Sequence, residues 1–396
     1  MHPELQKKDF SLPLPSGRPD LLIIAGEHSG DAHAARMARE LLSSGKMKNI
    51  CALGGHQLQG AGANLLMDMT AFSVVGFVEV VKNYAAFARL FAATIKWIEQ
   101  ARPRAVCFVD YPGFNLRLAK ELLKRGLSQK GGDDVALYYY ISPQIWAWKA
   151  RRRFAMATTL DALGVIFPFE IECYKDTDLP VTFVGHPFAE ADFSNPVRYD
   201  AQGDILLLPG SRPQAVGRIF PRLLNGFSQW HKNNPQAKAS VLYPSEFILE
   251  KLKQIAAQFP QLDGALTFVD ARGAQNIPAR AVLMSSGTMS LCCCLAGIPG
   301  AIVYHAHPLT YALGRMIVSI RYLGIANLLL NRPAWPEYLQ GDSAAPKLAQ
   351  ALDDALTPER VTQARDDAAT LRHMLGHEDG TPTPARWLEN LMAADQ

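Results

Sequence analysis

Short runs of apolar residues recur along the chain, and most end at a glycine, a proline or a polar residue. In the first half these runs cover Leu21–Ala25, Cys51–Leu53, Ala105–Val109, Ala136–Ile141 and Ala162–Ile166. Helical patterns lie between them, including one that ends at Leu42 and one over Leu116–Arg125. Continuous apolar strands that alternate with helices are typical of a parallel sheet covered on both faces. The first half is therefore predicted to be a doubly wound α/β domain.

The same alternation starts again after a polar, turn-rich segment over Pro187–Gln202, where we place a domain boundary. The second set of predicted strands covers Ile205–Leu208, Ser240–Tyr243, Leu266–Val269, Ala281–Met284 and Gly300–Tyr304. From Ala344 onward the pattern is helical, with a last helix after Pro384. The predicted fold is α/β, with two Rossmann-like doubly wound domains that face a cleft, over residues 20–190 and 203–340. An extension over residues 1–19 precedes them, and C-terminal helices over residues 341–396 follow. Ligands of such sheets bind at the carboxyl ends of the strands.

Composition agrees with two globular domains and narrows the function. The chain has 396 residues, of which 48% are hydrophobic and 19% are charged, so it can bury large cores. A formal net charge of +3 argues against a dedicated nucleic-acid binder. The N-terminal residues lack the apolar core of a signal peptide, and no run of ~18 apolar residues predicts a spanning helix. The expected location is the cytoplasm, either in solution or on a membrane surface.

Cysteines give no sign of a metal site. They are Cys51, Cys107, Cys173 and the consecutive Cys292, Cys293 and Cys294, without a CxxC pair. Successive residues of a helix point about 100° apart, so three adjacent thiols do not converge on one metal in the usual way. We prefer to interpret these cysteines as buried free thiols in a reducing compartment.

Two polar segments follow strands in the first half. Gly26–Asp31 joins the first strand to a helix, and its glycines allow backbone N–H groups to approach a ligand. A structural turn capped by Ser29 or Asp31 is an equal alternative. Asp110 ends a buried strand, where a carboxylate is well placed to take a proton from a sugar hydroxyl. A capping aspartate in the turn before Pro112 fits the same residues.

Two further segments are candidates for contact with phosphates or lipid. Trp146 and Trp148 precede Lys149 and Arg151–Arg153. Tryptophans beside several cations are suited to contact with phosphates or with an acidic membrane. A solvated basic loop is the alternative. Glu79–Glu99 has helical spacing of Tyr84, Phe87, Ala88, Phe91, Ile95 and Ile98, while Lys82, Arg89 and Lys96 recur on another face. A core helix with a basic solvent stripe is the favoured interpretation of this segment. The alternative has its aromatic residues dipping into lipid.

The second half contains two turns suited to a diphosphate. Pro209–Arg212 follows its first predicted strand, so that the backbone at Gly210 and Ser211 can form an anion-binding nest and Arg212 can bridge phosphate oxygens. Ser285–Thr288 stands at another junction of a strand with a helix. Two such turns in one half indicate a nucleotide-diphosphate site more strongly than one does. No Walker A sequence is present.

Taken together, these motifs resemble the lipid-A-disaccharide synthase family from about Leu21 to about Gln340. In the first half the resemblance rests on Gly26–Asp31, Gly54-Gly55, Val75–Val80, Asp110–Asn115, Tyr139–Trp148, Phe167–Glu170 and Phe183–Pro187. In the second half it rests on Leu208–Arg212, Ser286–Thr288, Asn327–Leu329 and Glu337–Gln340.

The resemblance implies a GT-B fold and an inverting, metal-independent glycosyl transfer. The UDP-linked donor carries 2,3-diacylglucosamine, the acceptor is 2,3-diacylglucosamine 1-phosphate, and the products are a β-1,6-linked disaccharide and UDP. No cofactor, metal or nucleic-acid partner is implied, and a homodimer is left open. Enzymes of this family are peripheral on the cytoplasmic face of the inner membrane, which makes an anionic membrane surface an expected partner.

The resemblance also assigns expected roles to matching residues. Asp110 matches the catalytic aspartate, and Arg212 is expected to stabilise the departing diphosphate. Expected donor-binding residues are Gly26, Ser29, Gly210, Ser211, Arg212, Ser286, Gly287, Thr288 and Asn327. Expected acceptor-binding residues are Asn115, Trp146, Lys149 and Arg153.

Three positions depart from the family pattern. Cys292 and Ala215 replace glutamates of the second half, and Gly113 replaces an aspartate of the Asp110 motif. A thiol does not accept two ribose hydroxyl hydrogen bonds as a carboxylate does. Two alternatives to the synthase follow: a transferase with another nucleotide sugar, and a non-catalytic paralogue that binds nucleotide sugar or lipid.

Overall fold

A computed structural model describes residues 10–70, 84–273, 275–305, 321–377 and 380–394. The chain forms two compact units. The first unit runs through Pro187 and resumes at His377, and the second spans Phe188–Gly376. Each is built around its own parallel sheet.

The first unit alternates strands and helices as the apolar pattern predicts. Its strands are β1 Leu21–Ala25, β2 Ile50–Gly54, β3 Asn64–Asp68, β4 Ala105–Val109, β5 Ala136–Tyr140, β6 Ala162–Val165 and β7 Val181–Phe183. Its helices are α1 His28–Ser43, α2 His56–Gly60, α3 Tyr84–Ala101, α4 Pro112–Lys124 and α5 Arg152–Thr159, with 3₁₀ turns at Gln129–Gly131 and Pro168–Tyr174. A further 3₁₀ turn, Pro187–Ala189, lies where the chain passes from the first unit to the second. The described strands pair in the order β3-β2-β1-β4-β5-β6-β7.

Both faces of this sheet are buried. Within β1, Leu22 and Ile24 belong to a core that includes α3 and α4, whereas Leu21, Ile23 and Ala25 belong to a core that includes α1. Helices on both faces explain why the strands are apolar at every position. The strand order changes direction between β1 and β4, which is where ligands of doubly wound sheets bind.

The second unit repeats this plan. Its strands are β8 Val197–Leu208, β9 Ala239–Tyr243, β10 Leu266–Asp270, β11 Ile277–Ser285, β12 Gly300–Tyr304 and β13 Glu337–Leu339. Its helices are α6 Pro213–His231, α7 Glu246–Ala256, α8 Thr288–Leu295, α9 Ile325–Leu330, α10 Ala345–Ala355 and α11 Pro358–Leu375, with 3₁₀ turns at Pro260–Leu262 and Gln340–Asp342. The described strands pair in the order β10-β9-β8-β11-β12-β13, with the change of direction between β8 and β11.

Two features differ from the sequence-based expectation. Residues 197–202, which we expected in the polar boundary segment, extend β8, because Ile277 and Pro278 of β11 pair with Val197 and Arg198. Residues 341–396, expected as one set of C-terminal helices, are divided between the units: α10 and α11 lie in the second, and the last helix, α12 Pro384–Ala394, lies in the first.

Helix α3 packs into the core of the first unit. Ile95 and Ile98 are buried, Phe87 and Phe91 pack against the same core, and the Phe91 ring meets Phe114 edge-on at 5.5 Å. The aromatic face that the alternative placed in lipid is thus largely covered by protein from Phe87 onward, in agreement with the favoured core-helix interpretation. Residues 79–83, and with them Lys82, lie outside the described residues, as do the motif Val75–Val80 and the side chain of Tyr84.

No helix in the described ranges combines the length and the apolar character needed to cross a bilayer.

Candidate functional site

Asp110 lies at the topological switch point of the first sheet. Ala25 of β1 is paired with Val109 of β4, so the residues that follow, Gly26 and Asp110, leave the sheet side by side. Asp110 and Tyr111 both have positive φ, at 47° and 48°. Two consecutive non-glycine residues in the left-handed region cost about 1–3 kcal/mol each and persist only where the surroundings impose them. The carboxylate that the sequence singled out therefore stands on a strained turn.

Two side chains hold this turn through the Asp110 carbonyl. The Asn115 amide donates to it at 2.7 Å, and the Tyr139 hydroxyl donates to it at 2.6 Å. The Asn115 amide also lies 3.4 Å from the carbonyls of Ile24 and Val109, which belong to the two neighbouring strands. Asn115 is fully buried. Its amide nitrogen is thus occupied by the backbone of the turn, which is the geometry of a positioning residue, whereas its buried side-chain oxygen has no hydrogen-bond partner among the described residues.

The environment of Asp110 favours a carboxyl that gains and loses a proton near neutral pH. Burial and, after it, the nearby Glu27 carboxylate raise the pKa of Asp110 to about 6, against the lowering effect of the hydrogen bond from the Tyr111 backbone N–H. A pKa close to the working pH is what general-base chemistry requires. Glu27 was not among the predicted site residues, although its position directly after the first strand and Gly26 is a signal of the same kind as that of Asp110.

The Gly26–Asp31 segment has mainly a structural part in this site. A Cβ atom at Gly26 would lie 2.2 Å from the Tyr111 ring, so only glycine lets the strained turn close. Asp31 is buried and accepts hydrogen bonds from the N–H groups of Gly55 at 2.7 Å and Gln57 at 3.0 Å. Through these hydrogen bonds Asp31 holds the Gly54-Gly55 motif and the start of α2 in place. Ser29 is exposed in the first turn of α1, at the same edge of the sheet.

Aromatic residues from three of the quoted motifs support the same edge. The Trp146 ring meets Phe169 edge-on at 5.6 Å, Phe169 stacks with Phe167 at 5.6 Å, and Phe167 lies 5.1 Å from the His186 ring. Glu170 is buried beside them, and its burial raises the pKa of this carboxyl to about 8. Trp146 is half-buried within this cluster, which leaves only part of its indole to face a ligand.

The predicted acceptor cations differ in their surroundings. Lys149 is exposed, with its ammonium 4.3 Å from the centre of the Trp148 ring. Arg153 binds both carboxylate oxygens of Asp176, at 2.6 and 2.5 Å, and also donates to the Ala150 carbonyl. Of these two residues, Lys149 is the one that offers its charge to an external phosphate.

The two diphosphate turns of the second unit lie next to each other. Leu208 of β8 is paired with Met284 of β11, and Gly210 has φ +98° with Ser285 Oγ 3.1 Å from the position of its missing Cβ. Ser211, Arg212, Gly287 and Thr288 are exposed at this edge, and Ser286 is half-buried. The structure thus brings together the predicted donor residues of both turns at the switch point of the second sheet.

Asn327 differs from its expected role as a donor contact. It is fully buried, its amide donates to the Trp335 carbonyl at 2.6 Å and to Glu337 at 2.9 Å, and its carbonyl oxygen accepts the Trp335 N–H at 2.8 Å. All of these partners belong to the second unit. Asn327 therefore holds the start of α9 against the strand β13. These hydrogen bonds give the Asn327 side chain a structural role in the folded unit.

The three residues that depart from the family pattern lie in different environments. Cys292 is buried, and burial raises the pKa of its thiol to about 12, so the protonated thiol does not replace a carboxylate as a hydrogen-bond acceptor for a ribose. Ala215 is half-buried in the first turn of α6. Gly113 is exposed in the first turn of α4, and no atom lies within 4 Å of the position of its missing Cβ.

Two residues at the edge of the second sheet escaped the sequence analysis. His305 directly follows β12, and its Nε2 lies 3.1 Å from the Arg222 guanidinium. Burial and, after it, the charge of Arg222 lower the pKa of His305 below its usual range. The position of His305 directly after an apolar strand is a sequence signal that could have identified it. Arg222 lies within a helix, and no sequence signal singled it out.

Comparison with known proteins supports one family. The family model described as lipid-A-disaccharide synthetase matches residues 21–380. Lipid-A-disaccharide synthase 1 of Legionella pneumophila strain Philadelphia 1 is 33% identical over 344 residues, which cover 84% of this chain and 87% of that protein. The lipid-A-disaccharide synthase of Geobacter sulfurreducens is 30% identical over 369 residues, covering 90% and 93%.

Solved structures show the same fold at low sequence identity. The glycotransferase of kitacinnamycin has a TM-score of 0.56 at 11% identity, covering 96% of this chain and 99% of that one. The sucrose-phosphate synthase of Thermosynechococcus elongatus has a TM-score of 0.55 at 11% identity, covering 95% and 100%. The predicted GT-B fold is confirmed.

Proposed function

Because the chain belongs to the lipid-A-disaccharide synthase family, we propose that it joins UDP-2,3-diacylglucosamine to 2,3-diacylglucosamine 1-phosphate. Family membership makes it a glycosyltransferase of lipid A biosynthesis, and the proposal specifies its two substrates. The observation that carries it is Asp110, a carboxyl with a pKa of about 6 on a strained turn at the switch point of the first sheet.

In the proposed step the acceptor 6-hydroxyl oxygen bonds to the anomeric carbon of the donor. The bond from that carbon to the β-phosphate oxygen of UDP breaks, and its electron pair leaves with UDP. Asp110 takes the hydroxyl proton as general base, and in-line attack inverts the anomeric centre.

The leaving diphosphate gains negative charge as this bond breaks. Arg212, the Gly210-Ser211 backbone and the start of α8 at Thr288 supply the positive and partially positive groups that stabilise it. This arrangement needs no metal ion, so turnover is expected to persist in EDTA. Lys149 is the cation that we assign to the acceptor 1-phosphate.

The test is turnover of both substrates in mixed micelles by the unaltered protein and by Asp110→Asn. The substitution keeps the shape of the side chain but removes the base, and we expect kcat to fall about 10²–10⁴-fold. The unaltered enzyme should gain activity as pH rises through about 6, where the Asp110 carboxyl ionises.

Asp178→Asn, at an exposed aspartate of the same unit, is the matched control and should keep full activity. Disaccharide formation that is equally fast in Asp110→Asn would refute the assigned base. UDP-sugar binding without any disaccharide from the unaltered protein would favour the binding-only paralogue, to which the loss of carboxylates at Cys292 and Ala215 points.

A further inference from the structure

Phe247 has the highest exposure among the large apolar side chains in the described part of the chain, at 66%. It is the second residue of α7, and the residue after it, Ile248, is buried in the core of the second unit together with Leu252. The core-facing side of α7 is thus formed without Phe247. Single exposed apolar side chains are common on protein surfaces, so the meaning of this one depends on what lies beside it.

Phe247 stands at the edge of the second sheet where ligands bind. Helix α7 follows β9, and Val241 of β9 is paired with Leu207 of β8. Strand β8 runs directly into the diphosphate turn Pro209–Arg212. Because the carboxyl ends of neighbouring parallel strands meet at one edge, α7 begins one strand away from that turn.

The neighbouring helix shows which way Phe247 faces. Residues four apart lie on the same side of a helix, so Phe247 shares a side of α7 with Lys251. The Lys251 ammonium lies 3.3 Å from the position of the missing Cβ of Gly217, in the second turn of α6. Helices α6 and α7 each connect two parallel strands, so both start at this edge and run back along the sheet. Phe247, one turn before Lys251, therefore lies beside the first turn of α6, directly after Arg212.

Hydrogen-bonding groups lie at the same edge, next to Phe247. Glu246 precedes it in α7 and accepts a hydrogen bond from Arg272 at 3.3 Å. Arg272 also donates to Asp270, the last residue of β10, at 2.6 Å. A flat apolar ring thus stands beside both a diphosphate turn and polar side chains. A nucleobase has the matching chemistry, because its faces stack on aromatic rings and its edges form hydrogen bonds.

We infer that Phe247 is the stacking surface for the nucleobase of the donor nucleotide. The base lies on the Phe247 ring while the diphosphate is held at Gly210, Ser211 and Arg212. Because every base has a π face, Phe247 supplies affinity for a base and does not discriminate between bases. This assignment rests on the proposed function in one respect, namely that the donor is a UDP-linked sugar. Phe247 lies outside the motifs that carry the family resemblance.

The experiment measures ligand binding without turnover. Calorimetric titration compares UDP with inorganic pyrophosphate, which has the diphosphate but no base, for the full chain and for Phe247→Ala. We expect Phe247→Ala to bind UDP about tenfold more weakly, because the stacking contact is lost, and to bind pyrophosphate within about twofold of the unaltered protein. Phe247→Trp should keep the UDP affinity within about twofold. Its added indole should also give a fluorescence change with UDP that pyrophosphate does not produce.

Two variants serve as controls. Leu14→Ala removes an apolar side chain that is 55% exposed in the first unit, and it should bind both ligands as the unaltered protein does. Arg212→Gln should weaken the binding of UDP and of pyrophosphate together, since its guanidinium is assigned to the phosphates. Unchanged UDP affinity in Phe247→Ala would overturn the inference. So would an equal loss of UDP and pyrophosphate binding, because the effect would then lie in the turn and not in the base.

Turnover separates this inference from the proposed function. If the unaltered protein makes no disaccharide while Phe247→Ala loses UDP affinity as expected, the proposed reaction fails and the base contact stands. If disaccharide forms and Phe247→Ala keeps both the donor KM and the UDP affinity, the base contact fails and the proposed function stands.

Discussion

At the scale of single residues, the candidate base owes its properties to neighbours that are distant in sequence. The turn at Asp110 and Tyr111 has left-handed backbone at both residues, and Asn115 and Tyr139 hold its carbonyl. Gly26 leaves the space that the Tyr111 ring occupies. Strain of this kind is stable only when several contacts agree, so each of these residues helps to position the Asp110 carboxylate.

Replacement of Asn115 tests this positioning role. Asn115→Ala removes the 2.7 Å hydrogen bond to the Asp110 carbonyl, and we expect kcat to fall about 10–100-fold because the base leaves its productive geometry. The acceptor KM should stay nearly constant, since the amide is buried beneath the turn. Steady-state kinetics with varied acceptor measure both quantities.

The control for Asn115 is Asn225→Ala, which removes an exposed amide hydrogen bond to the Pro221 carbonyl and should leave both constants unchanged. A raised acceptor KM at unchanged kcat in Asn115→Ala would instead restore the acceptor contact that the sequence suggested.

At the scale of elements, the described part of the N-terminal extension, residues 10–19, is part of the first core. Leu12 is buried against it, and the Trp97 indole of α3 donates to the Pro13 carbonyl at 2.9 Å. Farther along, Arg18 pairs with Asp134 at 2.8 Å. The segment that precedes the family match therefore covers α3 and contributes to its stability.

Leucines 12 and 14 give a matched test of this covering role. Leu12 is 7% exposed and Leu14 is 55% exposed, although only one residue separates them. Leu12→Ala should lower the free energy of unfolding by about 2–4 kcal/mol, because it leaves a cavity. Leu14→Ala should change it by less than about 0.5 kcal/mol. Denaturant titration measures both, and equal effects would show that the extension is not packed as described.

At the scale of the whole molecule, the chain builds the second unit and then returns to the first. Helix α12 docks on the first unit through Trp387, which contacts Gly164 and meets Tyr138 at 6.2 Å. Lys46 pairs with Glu389 at 2.8 Å, and Arg104 donates to the Met392 carbonyl at 3.2 Å. The last helix is therefore a structural member of the first unit.

Hydrogen exchange of the two sheets tests this assignment. Trp387→Ala should destabilise the first unit by about 3–5 kcal/mol and speed exchange in β5 and β6, because a large buried ring is lost. Exchange in β9 should change little. Leu348→Ala is the reciprocal control: Leu348 of α10 packs on Gly226 in the second unit, so exchange should rise in β9 and not in β5. Equal effects on both sheets would contradict the assignment of α12.

The sequence alone determined the family, the GT-B fold and the central strands. Leu21–Ala25, Ala105–Val109 and Gly300–Tyr304 were predicted at both ends, because strands buried on both faces are apolar at every position and stop at a polar residue or glycine. The same rule placed Asp110 and the turns at Gly210 and Ser286 at the carboxyl ends of strands. The strands at Asn64–Asp68, Val181–Phe183 and Glu337–Leu339 were missed, since they are partly exposed and outermost in their sheets.

Only the tertiary structure decided what the motif residues do. Asn115, Asn327 and Asp31 are polar residues beside predicted ligand turns, and their partners come from distant strands and turns. Whether a polar side chain faces a ligand or satisfies buried backbone groups depends on those partners, which a local pattern does not contain. The exposure of an aromatic side chain is likewise decided by neighbouring elements. They cover Phe91, which packs against the core, and leave Phe154 46% exposed.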